Sequence, residues 1–75
     1  MKLYEKRLGY THTVYQGRMK NCKVTIDRTS ERTHWYFYLI RETDNFSYNS
    51  LWETKKYNSK EECLEQAKAW IKANA

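Results

Sequence analysis

The sequence predicts an α+β fold in which a three- or four-stranded antiparallel meander sheet carries one C-terminal helix packed on one face. The chain has 75 residues, a length that supports a single hydrophobic core. Short segments rich in Val, Thr and aromatic residues alternate with polar turns, which is typical of strands. The last part of the chain has apolar residues at helical spacing. Residues 1–75 are therefore predicted to form one domain.

Aromatic side chains compensate for a shortage of aliphatic ones. Leu, Ile, Val and Phe make up twelve of the 75 residues, a share below the roughly 20% that separates folded from disordered chains. The chain also contains seven Tyr and three Trp, and each such ring buries on the order of 150–250 Å². We therefore expect a folded domain with an aromatic core.

The first two strands are predicted at about residues 10–15 and 19–27. Thr, Val and Tyr dominate the first of them. Gln16–Gly17 is predicted to be the tight turn between the two strands, because glycine accepts the positive φ that hairpin turns need. In the second strand, every other residue is apolar, which predicts one buried face formed by Cys22, Val24 and Ile26.

The most apolar stretch of the chain predicts a central strand at residues 33–41. Successive side chains of a strand point to opposite faces, and here both faces are apolar, as in strands with neighbours on each side. A turn at Thr43–Asn45 and a weaker strand at residues 46–54 are predicted to follow.

The helix is predicted at about residues 60–73. Ser59 is the expected N-cap, and Glu62 lies three residues later, as in a capping box. A helix of this length is marginal in isolation, so it is expected to pack on the sheet. The apolar stripe that would make this contact comprises Cys63, Leu64, Ala67, Trp70 and Ile71.

One helix covers one face of a sheet, so the opposite face is predicted to stay accessible. If the helix packs on Trp35, Phe37 and Leu39, the accessible face carries Tyr36 and Tyr38 together with Lys23 and His34. Rings interleaved with cations suit nucleic acid, since bases stack on rings and cations neutralise phosphates. The same residue types also suit protein partners.

The positive charge of the chain is concentrated in its first half. The net charge is +5, with nine basic and three acidic residues in positions 1–41 but five basic and six acidic residues in positions 42–75. This asymmetry favours a polyanionic partner, most simply nucleic acid. A basic surface that only improves solubility is the alternative interpretation.

The sequence contains no motif typical of an enzyme, a metal site or a cofactor site. The soft metal ligands have no short-range pair, since the closest two lie ten positions apart. Asp27 with His34, or Glu53 with His12, could form acid–base pairs, but two histidines in any chain allow such pairs. We therefore expect no catalytic residue, no metal and no cofactor.

A reducing cytoplasm is the expected location. No apolar run is long enough to span a membrane. The basic residues near the N-terminus are not followed by the apolar stretch of a secretion signal. Cys22 and Cys63 are accordingly expected to be reduced thiols.

From Trp35 to Lys72 the sequence resembles the arm-type DNA-binding domain of phage tyrosine-family integrases. The shared features are an aromatic strand, a basic-aromatic opening to the helix and apolar helix positions: Trp35-Tyr36-Phe37-Tyr38, Lys55-Lys56-Tyr57-Asn58-Ser59-Lys60-Glu61-Glu62-Cys63, Ala67 and Trp70-Ile71. That family packs a three-stranded sheet on a helix and inserts the sheet into the major groove. The resemblance implies DNA contacts from Lys23, Arg41, Lys55 and Lys56. The chain departs from the family at Cys63, where the family has alanine.

The sequence thus predicts a binding module without enzymatic activity, either a monomer or a homodimer. The leading hypothesis is nucleic-acid binding through a basic, aromatic sheet face. The alternative is a phage-type inhibitor, of the anti-CRISPR or another anti-defence kind, that binds and blocks a host nuclease or effector, because the chain also resembles such short proteins in size and style. The candidate contact residues are Lys23, Tyr36, Tyr38, Arg41, Lys55 and Lys56.

Overall fold

In the part of the chain that the structure describes, five antiparallel strands neighbour one another in chain order, and a 3₁₀ helix and one α-helix follow them. The computed structural model describes residues 1–10 and 12–74. The α+β class and the C-terminal helix are confirmed, but the sheet has five strands rather than three or four. The elements are β1 (Tyr4–Leu8), β2 (His12–Met19), β3 (Cys22–Arg28), β4 (Trp35–Arg41), β5 (Phe46–Asn49), a 3₁₀ helix (Ser50–Glu53) and α1 (Lys60–Asn74).

Strand β1 is the strand that the sequence analysis missed. It pairs with β2 so that Lys6 lies opposite Val14, and all five of its residues are exposed. Its sequence has charged residues at three consecutive positions, so it lacks the apolar alternation that reveals a half-buried strand. Backbone pairing with β2, rather than burial of its side chains, therefore defines β1.

The turn predicted at Gln16–Gly17 is wrong, because β2 continues through these residues. The chain turns instead after β2, at Lys20, whose φ is 54°.

Gly17 has a different role. A Cβ atom at this position would lie 2.7 Å from the carbonyl oxygen of Lys2 and 2.9 Å from Cγ of Met1. The missing side chain thus lets the N-terminal segment pass close to β2. Tyr10 precedes β2, and residue 11 of the predicted first strand lies outside the described residues.

The far edge of β4 is completed by three successive pieces of chain. Strand β5 is shorter than the predicted 46–54 and gives way to the 3₁₀ helix. Ser50 is fully buried, and its Oγ accepts a hydrogen bond of 3.2 Å from the backbone N–H of Phe37. Tyr57 then exchanges two backbone hydrogen bonds of 2.8 Å with Trp35. The chain therefore leaves the edge of β4 at the 3₁₀ helix and pairs with the same edge again at Tyr57.

Helix α1 begins as the sequence predicts. The Oγ of Ser59 accepts a hydrogen bond of 3.0 Å from the backbone N–H of Glu62, which is the N-cap interaction. The carboxylate of Glu62 accepts from the backbone N–H of Asn58, one residue before the cap. Together these bonds satisfy N–H groups at the start of the helix that have no partner within it.

The core lies between α1 and the faces of β3, β4 and β5 that point toward it. The prediction that Phe37 and Leu39 meet the helix stripe is confirmed, and Tyr48 stacks on Trp70 with ring centroids 4.8 Å apart. The buried cluster comprises Cys22, Val24, Ile26, Phe37, Leu39, Tyr48, Cys63, Ala67 and Ile71.

Candidate nucleic-acid interface

The side of the sheet that points away from α1 is exposed in part, and Val14, Thr25 and Asp27 on this side are buried. The pairing of β3 with β4 places Lys23 opposite Ile40, Thr25 opposite Tyr38 and Asp27 opposite Tyr36, and these pairs alternate with those of the core. We call this side the open face. Each of the five strands contributes at least one exposed residue to it: Lys6, Arg18, Lys23, Ile40 and Ser47.

Two neighbouring tyrosines form the aromatic part of the open face. The rings of Tyr36 and Tyr38 lie with centroids 6.0 Å apart and planes inclined by 31°. Both residues are half-buried, so part of each remains in contact with solvent. The arrangement is a pre-formed ring pair that a planar group could stack on.

A buried carboxylate holds Tyr36 in place. Asp27 is 7% exposed, and its carboxylate accepts hydrogen bonds from the backbone N–H of Arg28 at 2.7 Å and from the hydroxyl of Tyr36 at 3.4 Å. Nε2 of His12 lies 3.1 Å from the same carboxylate. Burial, followed by the nearby charge of Asp27, raises the pKa of Tyr36. These contacts connect the ring of Tyr36 to β2 and β3.

The acid–base pairs considered from the sequence are not formed. Asp27 contacts His12, whereas the ring of His34 lies 3.0 Å from the hydroxyl of Thr33. Glu53 accepts a hydrogen bond from Tyr48. The pairing of β2 and β3, which sequence spacing does not reveal, brings Asp27 and His12 together.

Three basic side chains lie on the open face at β1–β3, to one side of the tyrosines. Lys23 was predicted, and the structure adds Lys6 from β1 and Arg18 from β2, which lies opposite Lys23. The guanidinium of Arg18 lies 2.8 Å from the carboxylate of Glu42, with both side chains exposed. Period-two alternation along β2 could have revealed Arg18, but Lys6 depended on recognising β1.

Arg41 does not share a surface with Lys23. It lies opposite Cys22 and therefore on the helix side of the sheet. Its guanidinium donates to Asp44 at 2.8 Å and to the backbone carbonyl of Asn74 at 2.6 Å, and lies 5.0 Å from the centre of the Phe46 ring. These contacts tie the β4–β5 turn to the end of α1.

Lys55 and Lys56 also lie away from the open face, in the exposed segment between the 3₁₀ helix and α1. Nζ of Lys55 is 3.8 Å from the carboxylate of Glu53. Of the six candidate contact residues, the structure brings Lys23, Tyr36 and Tyr38 onto one face and places Arg41, Lys55 and Lys56 elsewhere.

The β5 side of the open face is apolar. Ile40 is 46% exposed and Trp52 is 67% exposed, and both line a shallow groove with Tyr36 and Tyr38. Ser47 and Asn49 provide its polar edge. The open face therefore changes from basic at β1–β3 to aromatic and apolar at β4–β5.

The two cysteines are free thiols in the core. Burial raises the pKa of Cys22, and it raises the pKa of Cys63 to about 12, so both are poor nucleophiles at neutral pH. Within residues 1–10 and 12–74, no three His, Cys, Asp or Glu side chains are grouped in a way that could hold a metal ion.

Comparison of the chain with protein-family models, curated proteins and solved structures gives no match. The resemblance to the integrase arm-type domain accordingly stays a prediction. In the part of the chain that the structure describes, no helix has both the length and the apolar character needed to cross a membrane. The geometry of the surface is thus the basis for proposing a function.

Proposed function

We propose that this protein binds nucleic acid through the open face and catalyses no reaction. The observation that carries the proposal is the half-exposed pair of Tyr36 and Tyr38 beside the basic side chains of β1–β3 on one accessible face. Stacking and phosphate neutralisation are the two interactions that sequence-tolerant nucleic-acid binding needs. In a reducing cytoplasm the two buried cysteines would remain thiols.

The geometry favours a single strand over a duplex. A ring can stack only on a base whose flat surface is exposed, and the bases of a duplex already stack on one another. The hydroxyl of Tyr36 lies 3.4 Å from the carboxylate of Asp27, and its ring lies beside that of Tyr38, so the two rings are already adjacent before binding. Lys23 and Arg18 lie side by side at the adjoining strands, where a backbone of phosphates could pass.

A titration with labelled single-stranded DNA, single-stranded RNA and duplex DNA at several salt concentrations tests this proposal. Three phosphate contacts on a single strand predict that the logarithm of affinity falls with the logarithm of salt with a slope of about −2. Lys23→Ala should weaken binding and make this slope shallower by about 0.7. Tyr38→Ala should weaken binding by about 1–3 kcal/mol with little change of slope.

The chain offers matched controls for both variants. Tyr10 is fully exposed and lies between β1 and β2 rather than in a strand of the open face, so Tyr10→Ala should leave binding unchanged. Lys55→Ala and Lys56→Ala should also have little effect if the open face is the interface. A loss of binding in the two lysine variants, in addition to the loss in Lys23→Ala, would instead favour the contact set implied by the integrase resemblance.

A protein partner is the second candidate, supported by the exposed apolar groove of Ile40 and Trp52. Exposed tryptophan in a groove is typical of protein interfaces. In this alternative the protein is a phage-type inhibitor that blocks a host nuclease or effector. Failure to bind any of the three nucleic acids at low salt would contradict the first proposal. Inhibition of such an enzyme that Trp52→Ala abolishes would support the second.

A further inference from the structure

Strand β1 has no partner strand on its outer edge within residues 1–10 and 12–74. It pairs with β2 on one side only, and the strand order places it at the end of the sheet. All five residues are exposed, including Tyr4 at 61% and Leu8 at 46%. An unpaired edge presents a row of backbone N–H and C=O groups to which another strand can bind.

Symmetry limits how a second copy can pair with this edge. Two identical antiparallel edge strands in one continuous sheet are related by a two-fold axis perpendicular to the sheet. Side chains that lie directly opposite each other must then be on the same face, so the axis passes midway between the two copies of one residue of β1. The central registers available are those centred on Glu5, Lys6 and Arg7.

Charge selects one of these three registers. In the register centred on Glu5, Glu5 lies opposite its own copy and Arg7 has no acidic residue opposite it. In the register centred on Arg7, Arg7 lies opposite its own copy and Glu5 has no basic residue opposite it. Centring on Lys6 places Glu5 opposite Arg7 twice and the exposed rings of Tyr4 opposite Leu8 twice. Opposite charges and apolar pairs at directly opposed positions stabilise antiparallel strands. Among the described residues, neither Glu5 nor Arg7 has an ion pair within the chain.

We propose that the protein forms a two-fold symmetric homodimer in which the β1 strands of two copies pair antiparallel in the register centred on Lys6. The result is a continuous ten-stranded sheet with both helices on one side and both open faces on the other. This dimer stands independently of what the open face binds. It would, however, make the two open faces one surface, with the two Lys6 side chains at its centre.

Lys6 limits the stability of the dimer. It is the residue on the axis, so its ammonium group faces its own copy, and like charges at opposed positions are destabilising. Lysine on an edge strand is also a common device against uncontrolled pairing of sheets. Lys6→Thr removes the repulsion and keeps a residue suited to strands, so we expect this variant to dimerise about threefold more tightly.

Sedimentation equilibrium over a wide range of protein concentration tests the proposal through charge exchange. Glu5→Arg places Arg opposite Arg7, and Arg7→Glu places Glu opposite Glu5, in each case twice. Each single variant should raise the dimer dissociation constant about tenfold or more. The double variant Glu5→Arg/Arg7→Glu restores the complementary pairs and should return the constant to within about threefold of the original.

The two single variants separate specific pairing from general charge effects. Glu5→Arg raises the net positive charge and Arg7→Glu lowers it, so general repulsion predicts effects of opposite sign. The matched control Glu31→Arg changes the charge as Glu5→Arg does, but lies in the β3–β4 loop and should leave dimerisation unchanged. A protein that stays monomeric at all concentrations, or a double variant as weak as the single ones, would overturn the proposal. Circular dichroism shows that each variant is folded.

Discussion

At the scale of single residues, the two glycines of the chain illustrate two different demands on the backbone. Gly9 has a φ of 81°, a conformation that a side chain disfavours, but a Cβ atom there would meet nothing within 4 Å. Gly17 has no positive φ, yet its missing side chain makes room for the backbone of Lys2. One glycine is therefore required by conformation and the other by space.

Asparagine substitutions distinguish these two demands. Asn tolerates the left-handed region, so Gly9→Asn should change the free energy of unfolding by less than about 1 kcal/mol. Gly17→Asn should destabilise the protein by about 1–3 kcal/mol, because the new Cβ displaces Met1 and Lys2 from their contact with β2. Urea unfolding of both variants measures the difference. Equal losses would show that the N-terminal segment does not depend on the space at Gly17.

Asp27 shows a second point at the residue scale. Alternation along β3 places it with Lys23 on the side away from the core, where a polar residue is expected to contact water. It is nevertheless buried, because His12 and Tyr36 from the neighbouring strands close over it. A polar residue in an alternating strand pattern therefore indicates which face of the sheet its side chain is on, but not whether that side chain is exposed.

At the scale of elements, the outer edge of β4 depends on side-chain and backbone partners from three segments. The backbone of β5 pairs with β4 as far as Tyr38, and Tyr57 pairs with Trp35. Between them, the N–H of Phe37 is satisfied by the hydroxyl of Ser50. A serine side chain therefore replaces a strand residue at the point where the 3₁₀ helix leaves the sheet.

Ser50→Ala tests this role. It leaves the N–H of Phe37 buried without a partner, so we expect a loss of about 1–3 kcal/mol in the free energy of unfolding. Ser47 is exposed on β5, and the matched variant Ser47→Ala should change stability by less than about 0.5 kcal/mol. Denaturant unfolding measures the free energy of unfolding of both variants, and hydrogen exchange at the amide of Phe37 reports whether its N–H is protected. Slow exchange at Phe37 in Ser50→Ala would contradict the role assigned to this hydroxyl.

At the scale of the whole molecule, burial shifts the ionisation of five residues in the same direction. The pKa values of Cys22, Tyr36, Tyr57 and Tyr48 are raised by burial, and that of Cys63 is raised to about 12. In the unfolded chain the thiols ionise near pH 9.0 and the phenols near pH 10.0. Above these values the folded protein retains protons that the unfolded chain has released, so stability falls as pH rises.

The expected outcome is alkaline destabilisation that begins near pH 9.0, where the unfolded thiols ionise. The free energy of unfolding, measured in urea from neutral to strongly alkaline pH, should be flat at first and then decline. In the variant Cys22→Ala/Cys63→Ala, the decline should begin only near pH 10.0, where tyrosine ionises. A stability that rises above pH 9.0 would contradict the burial of these groups.

The sequence by itself determined the features that arise from local pattern and composition. Period-two alternation in β3 identified the core residues Val24 and Ile26, and the spacing of Ser59 and Glu62 identified the start of the helix. Alternation in β4 also separated Phe37 from the tyrosines. These predictions succeeded because they depend on side-chain direction along one strand or one helix, which neighbouring residues of the chain decide.

Only the tertiary structure decided which segments became neighbours. Strand β1 is stabilised by backbone pairing with β2, and charged exposed residues give no sign of such pairing. Gly17 is required by a contact with Lys2, fifteen positions away in the chain. Arg41 belongs to the helix side because its partners Asp44 and Asn74 meet there. Contacts between distant residues set these three outcomes, and a pattern within one segment contains no information about its partners.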